Sequence, residues 1–427
     1  MTHLPQQISI TASSLIFSTL PISVNTMSSA FLCTKLFPIY KISIDSTPLH
    51  NKHQLFFRPI SSIAVSTSGL YTETDEPILS RKSLDPDSYT VSYLINSCGL
   101  SPETAISASE KLNFETPERP DSVLNLLRTH GFTQTQISNL VRKRPGLLLA
   151  NPDKTLLPKL KFFHSIGVSR TDLARTLSLD PNILTRSLEN YIIPCYNFLK
   201  SVVQSDKKVV AAMKHTSWVF SKDHRLFLVP NIAVLKKIEV PQSSIALLLA
   251  HYPEAILRKH DRFREIVDEV RDMGFDPLKS TFVLAMHVIS GKGYKSIWDR
   301  CYKVYSEWGW SKDEILLAFR KYPQCMILSE KKISRAMDFF VNKMGWPSKD
   351  IAKCPVILFY NLEKRIIPRC SIIQVLSLKG LLKKDLSLST ILLPGNKYFL
   401  ERFVTKYEDK VPQLLSVYRG EMDILGL

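Results

Sequence analysis

The sequence predicts an all-α fold, a superhelical solenoid of helical repeats of about 36 residues, and the regular spacing of its prolines is the main reason. The prolines form two series in which neighbouring members are 36 residues, or twice 36 residues, apart. The first series is Pro145, Pro181 and Pro253, and the second is Pro158, Pro194 and Pro230. The second series follows the first by 13 residues, an offset that returns at Pro355 and Pro368. Self-similarity at such a period is typical of a repeat architecture.

The glycines obey the same period and mark turns between helices. Glycine is scarce, at 14 in 427 residues, and three glycines each precede a proline by 14 residues: Gly131 before Pro145, Gly167 before Pro181 and Gly309 before Pro323. Glycine ends helices because it adopts the left-handed conformation without a Cβ penalty. A Ser or Thr follows two residues later and an acid or amide three residues after that, which predicts a capped second helix.

A short link completes each predicted unit. A large apolar side chain lies three residues after each proline of the first series, and two apolar residues precede each proline of the second, which suits the first turn of the next helix. A single unit cannot bury its apolar face alone, so neighbouring units must stack. Ser217 takes the place of one proline and the proline expected near 289 is absent, which we interpret as drift within the array.

Composition divides the chain into four segments. Residues 1–70 contain 20 Ser or Thr, four basic residues and one acid, which predicts an organellar transit peptide. A secretory signal is disfavoured because no basic residue precedes its apolar stretch, and an untargeted disordered tail is the alternative. We expect a linker at 71–87, the repeat array at 88–385 and an amphipathic helical cap at 386–427.

The sequence carries no recognisable catalytic, metal or membrane signature. It has no H-E-x-x-H, G-x-S-x-G or phosphate-loop motif, its seven cysteines include no C-x-x-C pair, and its histidines show no ligand spacing. No apolar run approaches the roughly 20 residues of a membrane-spanning helix. We therefore expect a protein that is not an enzyme, holds no metal or cofactor, and keeps its thiols free and buried.

Positive charge is the functional signal. The net charge is +17, of which residues 1–70 contribute only +3. Basic residues cluster near the helix-ending prolines, and these are the candidate nucleic-acid-binding residues: Arg142, Lys143, Arg144, Lys214, Arg258, Lys259, Arg320, Lys321, Lys364, Arg365 and Arg369. One interpretation is that these cations complement helix C-termini. The other is that the period aligns them into a stripe that binds a phosphate backbone. The five tryptophans could stack on bases, but most are predicted to lie in the core.

Several strings resemble the mitochondrial transcription termination factor (mTERF) family in its plant organellar form: KRPGLLL at 143–149, SLENYIIP at 187–194, KYPQCMIL at 321–328 and CPVILFYNLEKRIIPR at 354–369. The resemblance begins near residue 88 and implies three-helix repeats, organelle targeting and nucleic-acid binding. Tetratricopeptide and pentatricopeptide arrays do not explain a proline at the end of each second helix.

Three functions remain open on the sequence. The first is an organellar double-stranded DNA-binding protein that regulates or terminates transcription; the second is an organellar RNA splicing or processing factor; the third is an adaptor for an acidic protein. We expect a monomer in the mitochondrion, with the chloroplast as the alternative compartment.

Overall fold

The computed structural model describes residues 88–382 and 386–422, and these residues form helices and no strand. The predicted all-α solenoid is confirmed. The predicted transit peptide and linker lie outside the described residues. A helical hairpin, Tyr89–Asn96 and Pro102–Ser109, opens the array, and Ser88 and Ser101 cap its two helices through their side chains.

Repeats, numbered by their first helices, follow this hairpin. The first helices are Glu118–Thr129, Leu157–Ser165, Ile193–Val203, His224–Lys237, His260–Asp272, Tyr294–Glu307, Glu330–Met337 and Ile367–Leu378. The second helices of repeats 1 to 7 are Gln134–Lys143, Arg170–Leu179, Asp206–His215, Gln242–His251, Ser280–Ser290, Lys312–Lys321 and Ser348–Lys353. Each second helix contacts the second helix of the next repeat.

A short third helix follows the second helix in most repeats. These third helices are Pro145–Leu149, Asn182–Thr185, Trp218–Ser221, Pro253–Ile256, Pro323–Ile327 and Pro355–Phe359. The apolar residue predicted three places after the proline is buried in each, which anchors the third helix to the core: Leu148, Leu184, Phe220, Ile256, Met326 and Leu358. Ser217 therefore replaces a proline without loss of the turn. Repeat 5 differs, because its second helix continues to Ser290.

The predicted turn between first and second helix forms as expected. Gly167 has φ +95° and follows the first helix of repeat 2. In repeat 1 the Thr133 side chain accepts the Gln136 N–H, and the Gln136 side chain accepts the Thr133 N–H, which closes a capping box. Two orphan backbone donors are thereby satisfied.

The second proline series lies in the first turn of the opening helix at Pro158, Pro194 and Pro368, as predicted, and inside that helix at Pro230. In repeat 2 a wide π-helical turn, Pro152–Leu156, precedes Pro158, and Leu157 donates its N–H to the Pro152 carbonyl five residues back. The same wide turn precedes Pro194 and Pro368. Proline has no N–H and its ring collides with the carbonyl four residues earlier, so widening the turn before it lets the helix continue.

The C-terminal residues form a compact end. Leu388–Leu392, Asn396–Phe403, Thr405–Tyr407 and Leu414–Arg419 are helical. Phe399, Phe403 and Leu414 are buried in the apolar core that runs through the whole array. This segment packs on the first helix of repeat 8, Ile367–Leu378.

Candidate nucleic-acid interface

Basic side chains at the ends of second helices reach across to the next repeat. The Lys143 ammonium donates to the Leu179 carbonyl at 2.5 Å, and Leu179 is the last residue of the next second helix. Lys321 makes the same contact with the Lys353 carbonyl at 3.0 Å. The last carbonyls of a helix have no partner within it and carry the negative end of the helix dipole. These lysines therefore cap the neighbouring repeat.

A second set of cations follows the third helices and acts in the same way. Arg186 donates to the Ser221 carbonyl at 3.2 Å, Lys222 to the Leu257 carbonyl at 3.2 Å, and Arg258 to the Ser290 carbonyl at 2.6 Å. Arg186 and Lys222 are not among the residues predicted from the sequence. Both share the 36-residue step of Arg258, and that spacing could have identified them. We call Lys143, Arg144, Arg186, Lys222, Arg258 and Lys321 the basic row.

Other candidates lie on the surface with different partners. Arg142 is exposed and reaches Asn139 of its own helix at 3.4 Å, while Arg144 donates to Asn182 Oδ1 at 2.7 Å. Lys259 and Lys364 are exposed. Arg320 is exposed as well and donates to the Met273 carbonyl of repeat 5 at 3.0 Å.

Lys214 and Arg365 are engaged in local contacts. The Lys214 ammonium lies 2.6 Å from an Asp172 carboxylate oxygen, so an acid balances its charge. This lysine and Ser169 together hold the pKa of the Asp172 carboxyl below its usual value in spite of the opposing effect of partial burial. The half-buried Arg365 guanidinium donates to the carbonyls of Leu392 and Pro394.

Arg369 is a correction to the predicted set. Its side chain is 0 % exposed, so it has no surface to offer a phosphate. The guanidinium donates to the carbonyls of Ile391, Leu392 and Pro394 and to Asn396 Oδ1, at 2.8 to 3.1 Å. Burial lowers its pKa to about 10. Arg369 ties the C-terminal residues to repeat 8.

A basic cleft of about 750 Å³ opens along repeats 1 to 3. Four members of the basic row line it: Lys143, Arg144, Arg186 and Lys222. Asp180, the acid of the lining, is only 8 % exposed and accepts the Asn182 N–H at 3.2 Å. The cleft therefore presents an excess of positive charge.

Trp218 also lines this cleft and is 45 % exposed. The Lys222 ammonium lies 4.3 Å from the centre of its ring. The expectation that most tryptophans belong to the core holds for Trp310, which is 3 % exposed; Trp298, Trp308 and Trp346 are partly buried against the core. Trp218 is the exception.

Comparison with known proteins agrees with this architecture. The sequence model of the mTERF family matches residues 124–288 and 292–400, which is most of the repeat array. The chain belongs to the mTERF family. A relative from Arabidopsis thaliana, named transcription termination factor MTERF15, mitochondrial, is 23% identical over 296 residues. That match covers 69% of this chain and 57% of the relative, so the chain spans little more than half of the relative's length.

The capping contacts of this mTERF protein leave its positive charge in place. A carbonyl oxygen accepts a hydrogen bond but brings no net charge, and an ammonium has three donors, of which a capping bond uses one. Lys143 and Lys321 remain exposed. The two interpretations of the cations are thus compatible, because one side chain can cap a neighbouring helix and face an anion.

A row of histidines follows the same period and was missed in the sequence. His215, His251 and His287 lie 36 residues apart near the ends of successive second helices. The His215 and His251 rings are 6.0 Å apart, and the His287 ring stacks on Tyr252 at 4.0 Å. Burial lowers the pKa of all three, that of His287 to about 4. They are therefore neutral imidazoles at pH 7.

The described residues contain neither a metal-binding cluster nor a membrane-spanning helix. Among residues 88–382 and 386–422, no group of three or more His, Cys, Asp or Glu side chains is arranged to hold a metal ion. No described helix is both long and apolar enough to cross a bilayer. Among the described cysteines, Cys98, Cys195, Cys301, Cys325 and Cys370 are buried free thiols.

Proposed function

We propose that this mTERF protein binds double-stranded DNA along its basic row and thereby regulates or terminates transcription in an organelle, the mitochondrion. The observation that carries the proposal is the placement of Arg186, Lys222 and Arg258 at equivalent positions of three successive repeats, 36 residues apart. A duplex backbone is itself a regular array of charge, about one phosphate per 1.7 Å of axis. A periodic row of cations can follow such an array over several repeats.

Family membership and the name of the Arabidopsis relative support a nucleic-acid-related role in an organelle. The mitochondrial part of the proposal comes from that name, whereas the composition of residues 1–70 supports targeting to an organelle without distinguishing which one. The binding mode on which the proposal rests is electrostatic. It supplies affinity for any sequence and releases counterions, so that the affinity falls steeply with salt.

The test must separate binding from folding, because members of the basic row also cap helices. Glutamine is the suitable replacement within the basic row, because its amide can still donate a hydrogen bond to a capped carbonyl but carries no charge. We expect the triple variant Lys143→Gln, Lys222→Gln, Lys321→Gln to remain folded and to bind a duplex more weakly. The slope of log affinity against log salt should fall by about one for each phosphate that the variant no longer neutralises.

A matched control removes three cations that acids already balance. Arg262, Lys303 and Lys397 each lie within 4.0 Å of a glutamate in their own helix. The triple glutamine variant at these positions should keep the parental affinity and salt slope. Equal duplex binding by the parent and both triple variants at every salt concentration would exclude the DNA proposal and favour an adaptor for an acidic protein. Binding to RNA alone would favour the processing factor.

A further inference from the structure

Packing between repeats does not require a tryptophan at position 218. The residue that follows the proline or its substitute is Gly146, Asn182, Trp218, Glu254, Gln324 or Val356 in the repeats that have a third helix. The core anchor of the short helix is Phe220, two residues later, which is 0 % exposed. Trp218 itself is 45 % exposed, so a large aromatic surface stays in contact with water at a cost in free energy.

The surroundings of Trp218 match the two chemical parts of a nucleotide. The indole offers an apolar face, and Lys143, Arg144, Arg186 and Lys222 supply cations around the same cleft. An aromatic platform beside a positively charged groove is the arrangement by which proteins bind single-stranded nucleic acid: bases stack on the ring while the groove follows the backbone.

The neighbouring contacts hold this arrangement in place. Lys222 donates to the Leu257 carbonyl of repeat 4 at 3.2 Å and holds its ammonium 4.3 Å from the Trp218 ring centre. Arg186 and Arg144 are fixed by their bonds to Ser221 and Asn182. These three cations of the cleft are therefore already held in place, which lowers the entropy lost when a ligand binds.

We propose that the Trp218 cleft is a site for an unpaired nucleobase, with the adjoining phosphates of a single strand on Lys143, Arg144, Arg186 and Lys222. The base must be unpaired because, in an intact duplex, both faces of each base are covered by its neighbours in the stack. The site deepens the proposed function, since it rests on the same cations. It adds a discrimination between single strands and duplexes that the basic row alone does not provide.

The test compares three probes on the full chain: a 12-nucleotide oligouridylate, oligothymidylate of the same length, and a perfectly paired duplex. Trp218→Ala should weaken binding to the single strands by about tenfold, in line with the loss of one base stack. Trp218→Phe should keep most of the affinity, because it keeps a ring. Neither variant should change binding to the duplex. The two single-stranded probes distinguish RNA from DNA as the source of the base.

Tyr398 provides a matched control. It is an exposed aromatic residue with the Arg402 guanidinium 5.8 Å from its ring centre, outside the cleft. Tyr398→Ala should leave binding of all three probes unchanged. Oligouridylate should also quench the tryptophan fluorescence of the parent and leave that of Trp218→Phe unaffected.

The outcomes separate this site from the proposed function. Loss of single-strand binding in Trp218→Ala, with or without duplex binding by the parent, supports the site. Equal single-strand affinity of the parent and a folded Trp218→Ala, or no single-strand binding by the parent, overturns it. Absence of duplex binding alone contradicts only the DNA proposal.

Discussion

The Lys143 ammonium lies 2.5 Å from the carbonyl oxygen of Leu179, 36 residues further along the chain. One repeat thus completes the helix end of the next. The contact gives the basic residues at the ends of second helices a structural role that does not depend on any ligand. It also makes the stability of one repeat depend on a side chain in another, as expected for nearest-neighbour coupling in a solenoid.

We expect Lys143→Met to destabilise the protein by about 0.5–1.5 kcal/mol, because the Leu179 carbonyl loses a charged hydrogen-bond donor at a helix C-terminus. Lys143→Arg should recover most of this stability. Urea unfolding followed by circular dichroism measures the difference. Parental stability in Lys143→Met would show that the bond contributes nothing.

Gly167→Val should destabilise the turn of repeat 2 by roughly 1–2 kcal/mol or more, because φ is +95° at this position and a β-branched residue is strained there. Gly146→Ala is the control. A Cβ at Gly146 meets nothing within 4 Å and its φ is not in the left-handed region. Thermal unfolding of both variants should show a lower midpoint for Gly167→Val only.

Arg369→Met should destabilise the C-terminal end by about 2–4 kcal/mol, because several buried carbonyls lose their donor together. Under conditions where Arg369→Met is folded, its duplex affinity and its salt slope should equal those of the parent. A reduced slope would return Arg369 to the set of phosphate-binding residues.

Stability should decline as the pH falls below about 6.5, through the histidine row. The folded-state pKa of His287 is about 4 and its ordinary value is 6.5. The unfolded chain therefore binds more protons between these values, and the stability present above pH 6.5 is lost toward pH 4. The contribution of His287 amounts to roughly 3 kcal/mol over that range. His287→Gln should flatten the dependence of the unfolding free energy on pH between 7 and 4, measured by urea unfolding.

Residues 1–70 fused to a fluorescent reporter should enter an organelle and be processed, because the segment is rich in Ser and Thr and nearly free of acids. Mitochondrial fluorescence is the expected result in plant cells. Chloroplast fluorescence would change the compartment, and an unprocessed cytosolic fusion would contradict the targeting prediction.

The sequence by itself determined the helical repeats, because their signals are local. A glycine that accepts a left-handed φ, a capping residue and a proline each act within a few residues of chain. The capping box of Thr133 and Gln136 forms, and Gly167 adopts a left-handed φ, as these local signals predict. The 36-residue period and the strings around Pro145 and Pro355 were likewise sufficient to indicate the family.

Only the tertiary structure decided what the individual side chains do. Arg365 and Arg369 look equivalent to Lys143 in the sequence, yet Arg369 is buried under the C-terminal residues, while Lys143 caps Leu179 and stays exposed. Trp218 is open in a cleft, whereas Trp310 stacks on Tyr305 in the core. The physical reason is distance along the chain. Exposure depends on what the neighbouring repeat places over a side chain, and those residues lie some 20 to 40 positions away.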